Sequence, residues 1–316
     1  VRRAGLKWTA AAAALAAPCL AFAHGGPGEP VSLMEGWAWW ITALTALVIV
    51  WYAAGVRRRA RRGHREPWPR QALFYAGVLL LHFSVEPPLD VLEEHLFSAH
   101  MFQHMMIRMV GPMLLALSVP LANLIAGLPR VLRRYLLRPM VSARPLQGLW
   151  RFLVHPFWAA FIWMAAFYVW QWPAFFNVTV MHEGADDSQH IVLLITSLFF
   201  WWMAFDPRGR PGAVRYGTRV LTVLGTLLPN ILIGAWITFT HLDLYQAYDV
   251  SGRIWGVGQA LDQQIGGLII WIPGSMMTVA GALIVFVRWL RDESARPLSH
   301  QARRRIASLP ARTGEE

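Results

Sequence analysis

Leu96-Phe97-Ser98-Ala99-His100-Met101-Phe102-Gln103-His104-Met105-Met106-Ile107-Arg108 opens an apolar run that continues to Leu128. About 20 apolar residues cross a bilayer, so a run of this length reads as a membrane helix. Two histidines four apart share one helical face, with about 6 Å of rise between them. Arg108 is four further on, near the same stripe, and Met101, Met105, Met106, Met109 and Met113 surround it. Imidazoles and a guanidinium inside an apolar segment are costly, so they need a partner or a purpose. That purpose is a metal, a haem or packing.

Working outward, six more apolar runs surround this one. The seven lie at approximately 37–56, 71–88, 100–128, 156–173, 189–205, 219–239 and 263–287. Gly111-Pro112 and Pro120 are expected to kink the third. Only 15% of residues are charged, against about 25% in soluble domains. The composition is that of a polytopic membrane protein. With backbone groups unable to meet water in lipid, the expected class is an all-α bundle of seven transmembrane helices.

The net charge of +11 is distributed by loop. Residues 57–70 hold seven arginines, 130–151 six, 208–219 four and 288–316 seven. The alternate loops at 24–36, 89–99, 174–188 and 240–262 are acidic instead. Basic loops stay cytoplasmic, so the N-terminal side faces out and the C-terminus faces the cytoplasm. With no zinc-finger spacing, base-reading helix or RNA-binding signature, nucleic acid is excluded as a partner. The lipid bilayer is the expected one.

Residues 1–23 read as a signal peptide. Arg2, Arg3 and Lys7 precede the apolar stretch Trp8 to Leu20, and Ala21-Phe22-Ala23 is a cleavage pattern. An uncleaved anchor is the alternative. Cleavage would expose His24, whose amine and imidazole can hold a metal, or simply begin an exported tail. The expected organisation is a signal peptide at 1–23, a periplasmic tail at 24–36, a membrane domain at 37–287 and a basic cytoplasmic tail at 288–316. The single cysteine, Cys19, permits no disulfide framework and no CxxC motif.

On this topology His82, His95, His100, His104, His182, His190 and His241 gather toward the outer face. Imidazole ligates zinc, copper, iron and nickel, while thioether sulfur prefers Cu(I). His100 and His104 are the expected core of a metal site, with His190, His182 and His241 converging from other elements. Asp90 and Asp262 can ligate, orient an imidazole or pair with Arg108. Asp262 can equally cap the seventh helix. Arg108 is expected to meet a buried carboxylate or an aqueous cleft. Gly266-Gly267 is expected to permit close helix packing. No nucleophile elbow, P-loop or dinucleotide fingerprint is present, so no enzyme activity is expected.

The blocks Leu96-x3-His100-Met101-x-Gln103-His104-Met105, after Pro88-Leu89-Asp90, and Asp262-Gln263-Gln264-x-Gly266-Gly267, running to Trp271, carry a family resemblance. His155-Pro156, and Trp172-Pro173 followed by His182 and Gln189-His190, add to it. Over roughly residues 37–287 the chain resembles the multi-pass CtaG type of cytochrome c oxidase assembly factor. This is distinct from the single-span copper chaperone that shares the CtaG name. The resemblance implies a bacterial inner-membrane protein that helps mature a haem–copper oxidase, with oxidase subunits as partners and a role in copper delivery. His100, His104, His182 and His190 fall on the family pattern; Arg108 stands where an apolar residue is expected. The leading expectation is copper bound at the outer face by His100, His104, His190, His182, His241 and Asp262. The rivals are a bis-histidine haem protein for electron transfer, a metal-free assembly scaffold, and a copper transporter. The inner halves of the helices are poor in ligands, which argues against the transporter.

Overall fold

The computed structural model describes residues 33–34, 36–208 and 214–307. The signal-peptide reading, Cys19, His24 and most of the N-terminal tail fall outside the described residues, as do the last residues of the C-terminal tail. Among the described residues every regular element is helical. In chain order these are α1 (Trp39–Ala60), α2 (Trp68–Ser84), α3 (Leu89–Glu93) and α4 (Phe97–Met105). A π-helical turn, Met106–Val110, joins α4 to α5 (Gly111–Ser118), and α6 (Leu121–Gly127) follows. After short helical turns between 130 and 142 come α7 (Arg144–Leu153), α8 (Pro156–Gln171), α9 (Pro173–Met181) and α10 (Glu183–Phe205). The chain closes with α11 (Tyr216–Gly225), α12 (Leu227–Phe239), α13 (Ala247–Ser251) and the long α14 (Gln259–Ala307).

Proline sets several of the starts. It occupies the first turn of α2, α7, α8 and α9, where its missing N–H costs no intrahelical bond. Within the third apolar run it acts differently. Pro112 cannot donate to the carbonyl of Arg108, one turn back. The helix responds with the π turn, and the Trp201 indole N–H donates to the freed Arg108 carbonyl at 3.3 Å. Pro120 then ends α5. Val119 before it sits at φ 51°, ψ 54°, left-handed backbone that a β-branched residue adopts only under strain. There the chain bends by 73° into α6.

Each of the seven expected apolar runs contains a helix. Four helical stretches are individually long and apolar enough to cross a membrane: Trp39–Ala60, Glu183–Phe205, Tyr216–Phe239 and Gln259–Ser294. Counting each bent pair as one span raises this to six. α2 has only 17 residues and α8 only 16, because proline at one end and a loop at the other truncate them. The expectation of seven full spans is therefore met in part. The apolar outward faces are extensive: Leu44, Leu47 and Val50 of α1 are exposed, as a lipid-facing helix requires.

Inside, three apolar clusters lie along the bundle among the described residues, the smallest being Tyr52, Phe74 and Val78 between α1 and α2. Of the two larger, one packs Met109, Trp163, Phe200, Trp201 and Phe205. The other packs Phe97, Phe176, Leu193, Ile237, Tyr245 and Tyr248. The second core is bounded by the close contact the glycine pair was expected to allow. A Cβ on Gly267 would lie 2.4 Å from the Thr238 hydroxyl of α12, and one on Gly266 2.3 Å from the Phe97 ring. Phe97 stacks on Tyr245, ring centres 4.1 Å apart, so neither ring can yield cheaply. Gly266→Ala is expected to lower stability by about 1–3 kcal/mol, the range for overpacking a filled core. Thermal melting of the detergent-solubilised protein measures this.

Candidate metal centre

The site is built from three elements remote in sequence. α4 supplies His100 and His104, α10 supplies His190 and Asp186, and the short α3 supplies Glu93. His100, His104 and His190 are 0%, 2% and 8% exposed, so their donors face one another and not solvent. One nitrogen from each of the three lies within 4.8 Å of the other two. A second set, Glu93, His100 and Asp186, meets the same limit and shares His100.

The hydrogen bonds explain how the rings are aimed. Glu93 Oε2 lies 2.6 Å from His100 Nδ1, and the Tyr248 hydroxyl is 3.1 Å from the same nitrogen. Asp186 Oδ2 lies 3.1 Å from His190 Nδ1. A carboxylate on Nδ1 fixes the tautomer with its proton there and presents the Nε2 lone pair to the centre. His100 Nε2 is 2.9 Å from His104 Nε2 and 3.6 Å from Asp186 Oδ1. Several polar atoms are buried without a protein partner: His104 Nδ1, His190 Nε2, Asp186 Oδ1 and both amide atoms of Gln189. Buried polar groups are normally bonded, so such a cluster marks a place for something the protein chain does not supply. Neutral imidazoles with orienting carboxylates are a donor set that fits a borderline transition-metal ion.

Two carboxyls of α3, Asp90 and Glu93, are held toward their neutral forms. Burial, reinforced by the charges of Glu94 and Asp186, raises Asp90 to about 7. Burial, followed by the charge of Asp186, raises Glu93 well above the usual carboxylate range.

The structure brings together three of the expected residues and leaves three apart. His182 is exposed at the N-cap of α10, and His241 is exposed beyond the end of α12. Neither belongs to a ligand set. Asp262 has a different task. Its carboxylate accepts the backbone N–H of Phe97 and of Ser98, each at 2.9 Å, and the Ser98 hydroxyl at 2.6 Å. It therefore caps α4 from another helix, rather than capping its own or ligating. Glu93, Asp186 and Tyr248 were not singled out from sequence. The Asp186-x3-His190 spacing, a carboxylate and an imidazole on one helical face, was a signal available for one of them.

Arg108 meets no carboxylate among the described residues. Its guanidinium donates to Asn230 Oδ1 at 3.3 Å and Met164 Sδ at 3.1 Å. It lies between the rings of Trp163 and Phe167, at 3.8 and 4.0 Å from their centres. One methionine of this stretch is likewise engaged as an acceptor: Met101 Sδ takes the Gln171 amide at 2.8 Å.

Comparison with known proteins adds to this geometry. The chain is 22% identical over 281 residues to an uncharacterised protein of Mycobacterium leprae, covering 84% of this chain and 41% of that one. It is 23% identical over 264 residues to an uncharacterised protein of Mycobacterium bovis, covering 80% and 39%. The chain thus spans about two fifths of the length of these curated relatives. No solved structure matches it. The pattern of the cytochrome c oxidase caa3 assembly factors (Caa3_CtaG) matches residues 50–292. That match takes in α4, α10 and every residue of the histidine cluster, and the chain belongs to the cytochrome c oxidase caa3 assembly factor family.

Proposed function

We propose that this chain is a multi-pass accessory factor of the bacterial inner membrane that aids assembly of a cytochrome c oxidase. In this reading it takes copper from the periplasmic side at His100, His104 and His190 and passes it to an oxidase subunit. The observation that carries the reading is the convergence of three buried imidazoles, two of them aimed by carboxylates, within a protein of this family. His182 and His241 lie near the outer ends of helices, where they suit transient capture better than a share in the buried set.

The topology belongs to the same reading: seven membrane segments, N-terminal side outside, C-terminus cytoplasmic. Two facts support it. Arg58 donates to the carbonyls of Ala126, Gly127 and Leu128, at the far end of the third apolar segment from His100. Arg59 pairs with Glu66 at 2.9 Å in the same region. The basic loops and the histidine cluster thus sit at opposite ends of that segment, as cytoplasmic arginines and a periplasmic site require. The cavity beside His104 is about 20 Å³, too small to hold a haem.

Three outcomes are expected. Alkaline phosphatase fused after residue 94 is active and fused after residue 142 is inactive; the reverse pattern would overturn the topology. Wild-type protein purified from copper-supplied cells carries copper by elemental analysis, and the His100→Ala/His104→Ala double variant carries none. That variant also fails to support oxidase assembly in low copper. Full assembly by it under those conditions refutes the copper site, and assembly activity in a copper-free wild type points to the scaffold. Third, copper affinity strengthens as pH rises through about 7. Asp90 is protonated and neutral below that pH and adds a negative charge beside the cluster above it, and cation binding in turn favours the ionised form. Asp90→Asn is expected to lose that part of the pH dependence in a titration from pH ~6 to ~8.

A further inference from the structure

We propose that the cavity between His104 and Arg108 is a binding site for one small inorganic anion of the halide class, held by the Arg108 guanidinium. Arg108 is 3% exposed and lies roughly 16 Å along the helical segment from Phe97. All of its partners are neutral: an amide oxygen, a thioether sulfur and two aromatic faces. Its Nε–H is buried with no partner at all. A guanidinium cannot shed its proton to escape this setting. Cation–π contact spreads the charge and does not neutralise it. A buried charge in an apolar segment calls for a counter-charge, and among the described residues no carboxylate supplies one.

The space for it adjoins the guanidinium. The cavity of about 20 Å³ is lined by Met101, His104, Met105, Arg108, Asn230 and Gly274, among others. That volume admits a guest of roughly water size and excludes phosphate or a carboxylate-bearing molecule. The charge in the lining is positive and fixed. Arg108 has a free Nε–H, and His104 Nδ1 also lacks a partner. The Asn230 oxygen is already taken by Arg108, and its amide nitrogen donates to the Ile270 carbonyl at 2.8 Å. The uncompensated guanidinium charge favours an anion over a cation there. The site does not depend on metal at the histidines, although a metal there would bring a second positive charge that the anion screens from Arg108.

The test uses purified full-length protein in detergent, free of metal, dialysed against radiolabelled chloride. The expected result is one saturable chloride per chain, displaced by bromide and not by gluconate. Arg108→Gln is expected to weaken binding at least ~10-fold, as loss of a charged donor does, while copper stoichiometry measured on a separate, copper-loaded portion of the same preparation is unchanged. Saturable chloride absent from the wild type, or equal in Arg108→Gln, overturns the proposal. A measurement on the wild type alone guards against a variant that fails to fold. Bromide-soaked crystals should show an anomalous peak beside the guanidinium, and a peak elsewhere or none refutes the site. A wild type that binds chloride and no copper leaves the anion site standing and removes the copper reading.

Discussion

The carboxylate of Asp262 on α14 takes the first two free backbone N–H groups of α4 and the Ser98 hydroxyl. The rest of the centre depends on that grip. A helix begins with four unsatisfied donors, and inside an apolar bundle no water is at hand for them. Supplying the acceptor from a remote helix fixes where α4 starts, and so the depth and rotation at which His100 and His104 emerge. The same turn is held laterally by Phe97, stacked on Tyr245 and packed under Gly266. A capping interaction and a glycine contact together fix the position of the imidazole pair.

Around that pair the protein assembles acids where an apolar core would be cheaper. Burying a carboxylate is favourable only against a bonded partner, and Glu93 and Asp186 each find one in an imidazole Nδ1. The remaining lone pairs and unpartnered atoms converge on one small volume. Such an arrangement is poor as stabilisation and well suited to receiving a cation, because a bound ion supplies the missing partner to several groups at once.

Below the histidines, proline and arginine act together. Pro112 frees the Arg108 carbonyl, the π turn absorbs the mismatch, and the Trp201 indole fills the vacancy. The turn also aims Arg108 inward between Trp163 and Phe167. π turns of this kind frequently occur at functional sites. Here it puts a fixed positive charge beside the imidazole cluster, between two aromatic faces.

The sequence by itself determined the helical class, the seven apolar runs, the alternation of basic and acidic loops, and the shared face of His100 and His104. These are readings of local periodicity and of charge counts, which survive without knowledge of packing. The convergence of His190 on that pair was legible because its place in the topology matched theirs. The expected carboxylate partner for Arg108 was not found, and Asp262 proved to serve a helix start 160-odd positions away in the chain. Glu93, Tyr248 and the donor-lined cavity carry no spacing signature relative to the histidines. Only the tertiary structure decided them, because which acid reaches which imidazole depends on how α3, α10, α13 and α14 pack around α4, and contacts between elements so far apart leave no period in the sequence.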